Sequence, residues 1–226
     1  MKNDQPSSGS RSTARFITVE GGEGAGKTTL IHAIEGSLLK KEISVLRTRE
    51  PGGTTFGHEI RRFVLKHHDA MEIGAKAELL LFLADRAQHI DEVILPALDA
   101  GKVVICDRFN DSSVAYQGAG RGLGTAWVRE LCSLVSGSLV PDLTFYLDVD
   151  PVVGISRAQR TMKAESNAEG LDRIEAEMLE FHQRVHDAFL EIIAAEPKRC
   201  HRIDATKSKD FVIQQVLSIL DTVVHV

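Results

Sequence analysis

Only three cysteines occur in this chain of 226 residues, at Cys106, Cys132 and Cys200. Their number is odd and no CxxC pair is present, so the sequence predicts neither a disulfide framework nor a zinc site. No apolar run approaches the roughly eighteen residues that a membrane span needs, and the N-terminus lacks the apolar core of a secretory signal. These absences favour a reducing compartment, and we expect a cytoplasmic protein without a membrane partner.

The chain also lacks the basic excess of nucleic-acid-binding proteins, since its formal net charge is −5. Proteins that bind DNA or RNA broadly carry clustered lysines and arginines that neutralise phosphates. We therefore expect no nucleic-acid partner and only local phosphate binding. Hydrophobic residues make up 43% of the chain and charged residues 26%, close to globular usage, which excludes a largely disordered protein.

The polarity of two segments sets the expected domain organisation. Residues 1–15 (MKNDQPSSGSRSTAR) are polar and serine-rich, and we expect a disordered tail. Residues 16–226 then form one domain, which is a usual size for a single core. Within this domain, the polar segment Thr161–Gly170 lies between two predicted helices. We therefore expect a small mobile lid at about 157–173. A merely tolerated surface loop is the alternative.

Short β-prone runs alternate with helix-length segments along the chain. The predicted strands are Phe16–Glu20, Ile43–Arg47, Lys102–Cys106, Leu143–Val149 and Cys200–Ile203. The predicted helices are Lys27–Lys40, Phe56–Lys66, Ala75–Leu98, Ala126–Val135, Val152–Gln159, Leu171–Ala195 and Lys209–Val223. This order predicts an α/β fold of three layers, in which a five-stranded parallel sheet carries helices on both faces and ligands bind at the carboxyl ends of the strands.

A phosphate-binding motif follows the first strand directly. The residues GGEGAGKT, from Gly21 to Thr28, satisfy the P-loop pattern GxxxxGK[ST] between a strand and a helix. Glycines let backbone N–H groups turn around phosphate oxygens, and the helix presents its positive end. Lys27 is then placed to reach the β- and γ-phosphates, and the Thr28 hydroxyl to ligate Mg²⁺. The alternative is a glycine turn with a solvated lysine.

Two further motifs supply groups for an acceptor. In the segment TREPGGT, Arg49 can bind an anion with both arms of its guanidinium, although Pro-Gly-Gly could simply be a turn. Phe82 and Arg86 lie four residues apart on one predicted helix face, where a ring can stack on a planar base and a guanidinium can donate to its carbonyl oxygen. Taken alone, Phe82 is more often a core residue and Arg86 a surface residue.

Asp107 and Arg108 come directly after the third predicted strand. The carboxylate can hold Mg²⁺ through water, and the guanidinium can bridge two phosphates. Phosphoryl transfer depends on positioning and charge neutralisation, and a phosphate monoester with a second pKa of about 6 is already largely dianionic at neutral pH. We therefore assign no general base.

Together these motifs resemble those of bacterial thymidylate kinases, within the P-loop nucleoside-monophosphate kinases. The resemblance runs from Phe16 nearly to the C-terminus, through GGEGAGKTT, TREPGGT, LFLADR, ICDRFNDSSVAYQGAGRG, PDLTFYLDVDP, LDRIE and RIDAT, in the family's order. The run from Ile105 to Gln117 is the most specific part. The resemblance implies that ATP with Mg²⁺ phosphorylates dTMP to dTDP in dTTP biosynthesis, and that the protein is a homodimer.

The resemblance also implies a role for each site residue. Its ATP-binding residues are Gly21, Gly22, Glu23, Gly24, Ala25, Gly26, Lys27, Thr28, Thr29, Arg157 and Arg173. Arg49 and Arg108 hold the acceptor phosphate, Glu23 contacts the 3′-hydroxyl region, Phe82 stacks on thymine and Arg86 bonds its O4. Ser113 and Gln117 lie along the base, and Tyr116 crowds the ribose 2′ position. The catalytic residues are Lys27, Asp107, Arg108 and Arg160, and the metal residues are Thr28 and Asp107.

The lid departs from the compact bacterial pattern, because Lys163–Ala168 is inserted. A P-loop of the GEGAG kind, without a basic residue beside its glutamate, is typical of family members whose lid supplies the catalytic arginines. Arg157, Arg160 and Arg173 flank the lid, and Arg160 is the favoured catalytic residue.

Two other functions stay open at this point. A kinase for another pyrimidine nucleotide, such as dUMP or CMP, is separable by Tyr116 and by the pair Phe82 and Arg86. A nucleotide-dependent switch would be expected to carry an NKxD element or a glutamine that orients water, and the sequence contains no NKxD. The adjacent pair His67–His68 is predicted to be solvated surface rather than a metal site.

Overall fold

The computed structural model describes residues 16–66, 72–164 and 172–224. The predicted tail of residues 1–15, the pair His67–His68 and the lid residues 165–171 lie outside the described residues. Among the helices that the structure describes, none is both long and apolar enough to cross a membrane.

Five parallel strands form one sheet in the order β2-β3-β1-β4-β5. Their bounds are Phe16–Gly21 (β1), Val45–Arg49 (β2), Val103–Asp107 (β3), Leu143–Asp148 (β4) and Cys200–Asp204 (β5). The predicted fold class is confirmed. Because all strands run in the same direction, their carboxyl ends meet at one edge, where open α/β sheets bind ligands.

Nine α-helices are present in the described part of the chain. They are α1 (Lys27–Lys40), α2 (Thr55–Leu65), α3 (Ala75–His89), α4 (Leu95–Asp99), α5 (Asn110–Ser113), α6 (Thr125–Ser136), α7 (Pro151–Ala164), α8 (Leu179–Ala195) and α9 (Lys209–Val223). The predicted bounds of α1 and α9 are confirmed. A π-helical turn, Ile90–Ile94, joins α3 to α4 just before Pro96, which lacks the N–H that a regular helix would use.

Successive side chains of β1 point to opposite faces of the sheet. Ile17 and Val19 enter a core that includes buried residues of α1 and α9, such as Ile34 and Val216. A second core lies among α3, α6 and α8 and includes Leu83, Val128, Val185 and Phe189. Helices therefore cover both faces of the sheet, and the central strand leads from the first core straight into the P-loop.

Several predicted bounds were wrong. The second strand is Val45–Arg49 rather than Ile43–Arg47, so Arg49 ends the strand instead of following it. The helix predicted over Leu171–Ala195 begins at Leu179, because the Asp172 carboxylate accepts hydrogen bonds from the backbone N–H groups of Ile174 and Glu175 and holds a turn there. The helix predicted over Val152–Gln159 spans Pro151–Ala164, with proline at its first position.

One helical segment was missed entirely. Residues Asn110–Gly120 form α5 and a π-helical continuation, although their serines and glycines favour no helix. Tertiary packing explains the result, because a Cβ at Gly120 would lie 2.6 Å from the ring of Phe181 in α8. The glycine lets this segment lie directly on α8.

Candidate active site

A cavity of about 270 Å³ opens at the carboxyl edge of the sheet, between the P-loop and α3. It brings together most of the side chains proposed from the sequence. These are Glu23, Lys27, Thr28, Arg49, Phe82, Arg86, Asp107, Arg108, Ser113, Tyr116 and Gln117. Residues from segments far apart in the chain thus share one pocket.

The P-loop has the backbone conformation that its glycines allow. Gly24 and Gly26 adopt φ values of 64° and 97°, in the left-handed region. The Lys27 ammonium donates to the carbonyl oxygens of Gly21 at 3.1 Å and Gly22 at 3.0 Å. Burial and the Arg108 guanidinium lower the pKa of Lys27. An anion in this loop would meet both the lysine and the N-terminal end of α1.

Helix α7 rests directly on the P-loop. A Cβ at Gly24 would lie 2.1 Å from the carbonyl oxygen of Gly154 in α7, and a Cβ at Gly154 would lie 2.4 Å from the carbonyl oxygen of Glu23. The two backbones approach this closely only because both positions are glycine. The position of α7 therefore depends on the conformation of the P-loop.

Arg108 lines the pocket, and its backbone has a positive φ of 71°. Its guanidinium donates to the Glu23 carboxylate at 3.0 Å and to the Ser112 hydroxyl at 3.3 Å, and lies 4.8 Å from the centre of the Tyr116 ring. Burial raises the pKa of Glu23, but Arg108 and Lys27 together outweigh it and lower that pKa to about 2. Glu23 is thus the counterion of two cations that face the pocket.

Glu20 was missed by the sequence analysis. It is fully buried in β1, and its carboxyl group accepts from the backbone N–H of Phe109 at 2.8 Å and from the Ser112 hydroxyl at 2.5 Å. These two contacts hold the chain just after the strained Arg108. Burial and the nearby Asp111 raise the pKa of Glu20 to about 8. A charged residue inside an otherwise apolar strand was the available signal.

The raised pKa of Glu20 predicts a pH dependence of stability. A native state that holds this proton more tightly than the unfolded chain is stabilised fully below the ordinary pKa of 4.5, and the stabilisation is lost as pH rises through about 8. We expect Glu20→Gln, which copies the protonated acid, to flatten the fall in the free energy of unfolding between about pH 5.5 and about pH 8.5, a fall of at most about 1.4 kcal/mol per pH unit. Urea denaturation of both proteins at each pH would measure the free energy of unfolding. If this free energy fell equally with pH in the two proteins, the raised pKa of Glu20 would be contradicted.

Arg86 is buried and lines the pocket. Its Nε donates to Glu50 Oε2 at 2.7 Å, its Nη1 to the Ser113 hydroxyl at 3.0 Å and its Nη2 to the carbonyl oxygen of Phe109 at 3.1 Å. Burial disfavours the charged form, but the Glu50 carboxylate and its neighbours outweigh burial and raise the pKa of Arg86. The expectation that such an arginine is usually a surface residue fails here because Glu50 supplies its counterion.

Gln117 and Tyr116, which line the pocket, each donate to a nearby carboxylate. Gln117 donates to Glu78 at 2.9 Å, and the Tyr116 hydroxyl donates to Glu23 at 3.3 Å. Phe82 is buried and lines the pocket. The residues predicted to bind the base therefore all line the same pocket.

One carboxylate oxygen suits a hard cation. Asp107 Oδ1 is buried and has no hydrogen-bond partner in the described part of the chain, and the Thr28 side chain lines the same pocket. Such an oxygen is costly to leave without a partner. Carboxylate and hydroxyl oxygens are the ligands that Mg²⁺ prefers, so these residues fit the predicted ion.

The three arginines predicted to flank a lid lie in different places, and none lines the described pocket. Arg157 donates to the carbonyl oxygen of Ala205, just beyond β5, at 2.8 Å. Arg160 is exposed and donates to Ser156 at 2.9 Å. Arg173 donates to the carbonyl oxygen of Val64, near the end of α2, at 2.9 Å and pairs with Glu78 of α3.

Known proteins resemble this chain in sequence and in fold. Residues 19–216 match a family model described as thymidylate kinase. The chain is 52% identical to a thymidylate kinase of Protochlamydia amoebophila over 206 residues, covering 91% of this chain and 92% of that protein, and 47% identical to one of Solidesulfovibrio magneticus over 205 residues, covering 91% and 98%. A crystal structure of thymidylate kinase from Ehrlichia chaffeensis superposes with a TM-score of 0.70 at 36% identity, covering 92% of this chain and 98% of that one.

The chain belongs to the thymidylate kinase family.

Within this thymidylate kinase pocket, sequence reasoning also missed an acidic pair from the LDRIE motif. Asp172 and Glu175 line the pocket, and Glu175 lies next to Glu23 of the P-loop. Burial, Asp172 and Glu23 raise the pKa of Glu175 to about 7. The motif was recognised only as a match to the family, and its place beside Glu23 depends on the turn that precedes α8.

Proposed function

We propose that the chain transfers the γ-phosphoryl group of ATP to dTMP, giving dTDP and ADP for dTTP biosynthesis. Thymidylate kinases are ATP-dependent nucleoside-monophosphate kinases, and this chain is one of the family. The observation that carries the proposal is the single pocket that joins the P-loop lysine Lys27, the guanidinium of Arg108 and the base-side pair of Phe82 and Arg86.

On the donor side, the P-loop binds the phosphates of ATP. Lys27 exchanges the carbonyl oxygens of Gly21 and Gly22 for the β- and γ-phosphate oxygens, and the N–H groups at the start of α1 support the same anion. Arg157, close to the loop after β5, serves the adenosine half, and Arg160 is the lid arginine that reaches the transferring group when the lid closes.

On the acceptor side, guanidinium groups bind the phosphate of dTMP. Arg49 and Arg108 line the pocket, and Arg61 is a third cation in its wall. Arg108 gives up part of its contact with Glu23 and bridges the donor and acceptor phosphates. Because the acceptor phosphate is already dianionic, with a pKa of about 6, its oxygen attacks without a general base.

The nucleoside half lies along the wall formed by α3 and the helical segment after β3. Phe82 stacks on thymine, Arg86 donates to its O4, and Ser113 with Gln117 lies along the base edge. Tyr116 crowds the ribose 2′ position, and Glu23, bonded by Tyr116 at 3.3 Å, faces the 3′-hydroxyl region. Deoxyribose is thereby favoured over ribose.

The cofactor is Mg²⁺, held by Thr28 and by Asp107, whose Oδ1 is a buried oxygen without a partner in the described residues. When bound, the ion neutralises charge on the β- and γ-phosphates. The compartment is the cytoplasm, which agrees with three buried free thiols.

The assembly is a homodimer. Support comes from exposed apolar side chains on the neighbouring helices α2, α3 and α6, namely Phe56, Leu80, Trp127 and Leu134. A second copy of the chain would remove these surfaces from water.

The test is ADP production from ATP and Mg²⁺ with dTMP, dUMP, UMP, dCMP and AMP offered separately, beside a reaction without acceptor. We expect dTMP to give by far the highest kcat/KM. Faster turnover with another nucleotide would assign a different acceptor, and equal turnover without any acceptor would make the protein a nucleotide hydrolase.

A further inference from the structure

The loop Glu50–Thr54 lies directly on two side chains of α3. A Cβ at Gly53 would lie 2.3 Å from the imidazole ring of His89, and the backbone N–H of Gly52 donates to Asp85 Oδ1 at 3.0 Å. Asp85 and His89 are one helical turn apart, on the side of α3 next to Arg86. The glycines of TREPGGT therefore allow the loop to pack on α3, which a simple turn would not require.

A buried chain of hydrogen bonds runs from this loop to the base-side arginine. Glu50 accepts from Arg86 Nε through Oε2 at 2.7 Å, and its Oε1 lies 2.9 Å from His89 Nδ1. His89 Nε2 lies 2.6 Å from the Thr48 hydroxyl. With a neutral ring, Thr48 donates to Nε2 and Nδ1–H donates to Glu50, so the hydroxyl selects the tautomer that holds the carboxylate.

These contacts leave Arg86 little freedom. Of its five N–H groups, three are used by Glu50, Ser113 and the Phe109 carbonyl, and a second from Nη1 lies near Cys132 Sγ at 3.6 Å. Because a guanidinium is planar and rigid, fixing Nε fixes the direction of every remaining N–H. The contact between Glu50 and Arg86 therefore decides how the free N–H meets a base in the pocket.

A metal site is the other chemistry that this cluster could support. Glu50, His89 and Cys106 have potential ligand atoms within 4.8 Å of one another. Both oxygens of Glu50 and both nitrogens of His89 are already engaged, however, and the Arg86 cation is bonded to the same carboxylate. A metal ion would have to displace these bonds beside a positive charge, which disfavours it.

We propose that His89 is a positioning residue that, with Thr48 and Glu50, directs Arg86 toward a carbonyl oxygen at C4 of the pyrimidine and so sets discrimination against a 4-amino pyrimidine. This inference rests on the proposed function and adds to it the origin of base specificity. A C4 carbonyl accepts from the guanidinium, whereas a C4 amino group is a donor that cannot pair with it.

Two substitutions at His89 test the inference. His89→Leu removes the donor to Glu50, and His89→Asn restores an N–H close to the position of Nδ1. We expect His89→Leu to raise the KM for dTMP and to narrow the ratio of kcat/KM for dTMP over dCMP, each by about tenfold, the cost of a lost buried hydrogen bond to a charged group. The KM for ATP should not change. His89→Asn should restore most of the wild-type preference for dTMP over dCMP.

His58→Leu is the matched control, since His58 is an exposed histidine on α2. It should match the wild type in every constant. If His89→Leu does not fold, Thr48→Val decides the matter, because it removes only the hydroxyl that bonds Nε2 and should move the ratio in the same direction.

The outcomes separate this inference from the proposed function. A wild type that does not phosphorylate dTMP overturns both. The wild type could prefer dTMP while the folded variants keep the wild-type ratio of kcat/KM for dTMP over dCMP. That result would overturn only the role of His89. A lower melting temperature with an unchanged ratio would have the same meaning, because His89 would then stabilise the fold without directing Arg86.

Discussion

Replacing Arg108 by alanine is expected to lower kcat for phosphoryl transfer to dTMP by about three orders of magnitude. The Arg108 guanidinium lines the pocket and contacts Glu23, and in the proposed complex it neutralises charge where the two phosphates meet. Arg108 contacts the P-loop through the Glu23 side chain and not through the backbone N–H groups that would hold the phosphates, so the affinity for ATP should stay within about threefold. Single-turnover kinetics and an equilibrium titration with ATP would measure the two effects separately.

The matched control for this prediction is Arg62→Ala. Arg62 is an exposed arginine that pairs with Glu59 within α2. Removing it deletes the same charge from the protein without touching the pocket, and we expect wild-type kcat. Equal rates for both alanine variants would remove Arg108 from the chemical step.

Replacing Gly24 by alanine is expected to raise the KM for ATP by about a hundredfold, the effect of displacing binding groups by about 1 Å. The φ of 64° at Gly24 is strained for alanine, and the added Cβ would lie 2.1 Å from the Gly154 carbonyl oxygen. Either the P-loop changes conformation or α7 moves away from it. Both responses disturb the loop that holds the phosphates.

Gly36→Ala is the control for this second prediction. Gly36 lies within α1, and a Cβ there would meet nothing within 4 Å. Alanine should stabilise this helix by about 1 kcal/mol and leave the KM for ATP unchanged. ATP kinetics and thermal melts of both variants would decide the matter, and a Gly24→Ala enzyme with wild-type KM would show that the close approach of α7 does not constrain the P-loop.

Local sequence signals were enough for the central strand, the P-loop and α1. A short apolar run, glycines at positions of positive φ and a helical continuation follow each other within Phe16–Lys40, so no distant residue is needed to recognise them. The base-side pair of Phe82 and Arg86 was also accessible, because its spacing of four residues on one helix is local.

Features that depend on distant partners could not be predicted. Glu20 accepts a hydrogen bond from the backbone N–H of Phe109, 89 positions away. The position of His89 likewise depends on its contact with Glu50, 39 positions before it. The helical segment Asn110–Gly120 is held by packing on α8 rather than by its own composition, and the start of α8 is delayed by a turn that Asp172 stabilises. The positions of the arginines predicted to flank a lid likewise depend on tertiary contacts, because Arg173 pairs with Glu78.

Transfer of the labelled γ-phosphoryl group of ATP tests the central claim most directly. The protein is incubated with γ-labelled ATP, Mg²⁺ and dTMP, and the products are separated. We predict that the label appears in dTDP in amounts equal to the ADP formed, and that it stays in ATP when dTMP is omitted. Label released as inorganic phosphate, at the same rate with and without dTMP, would contradict the account.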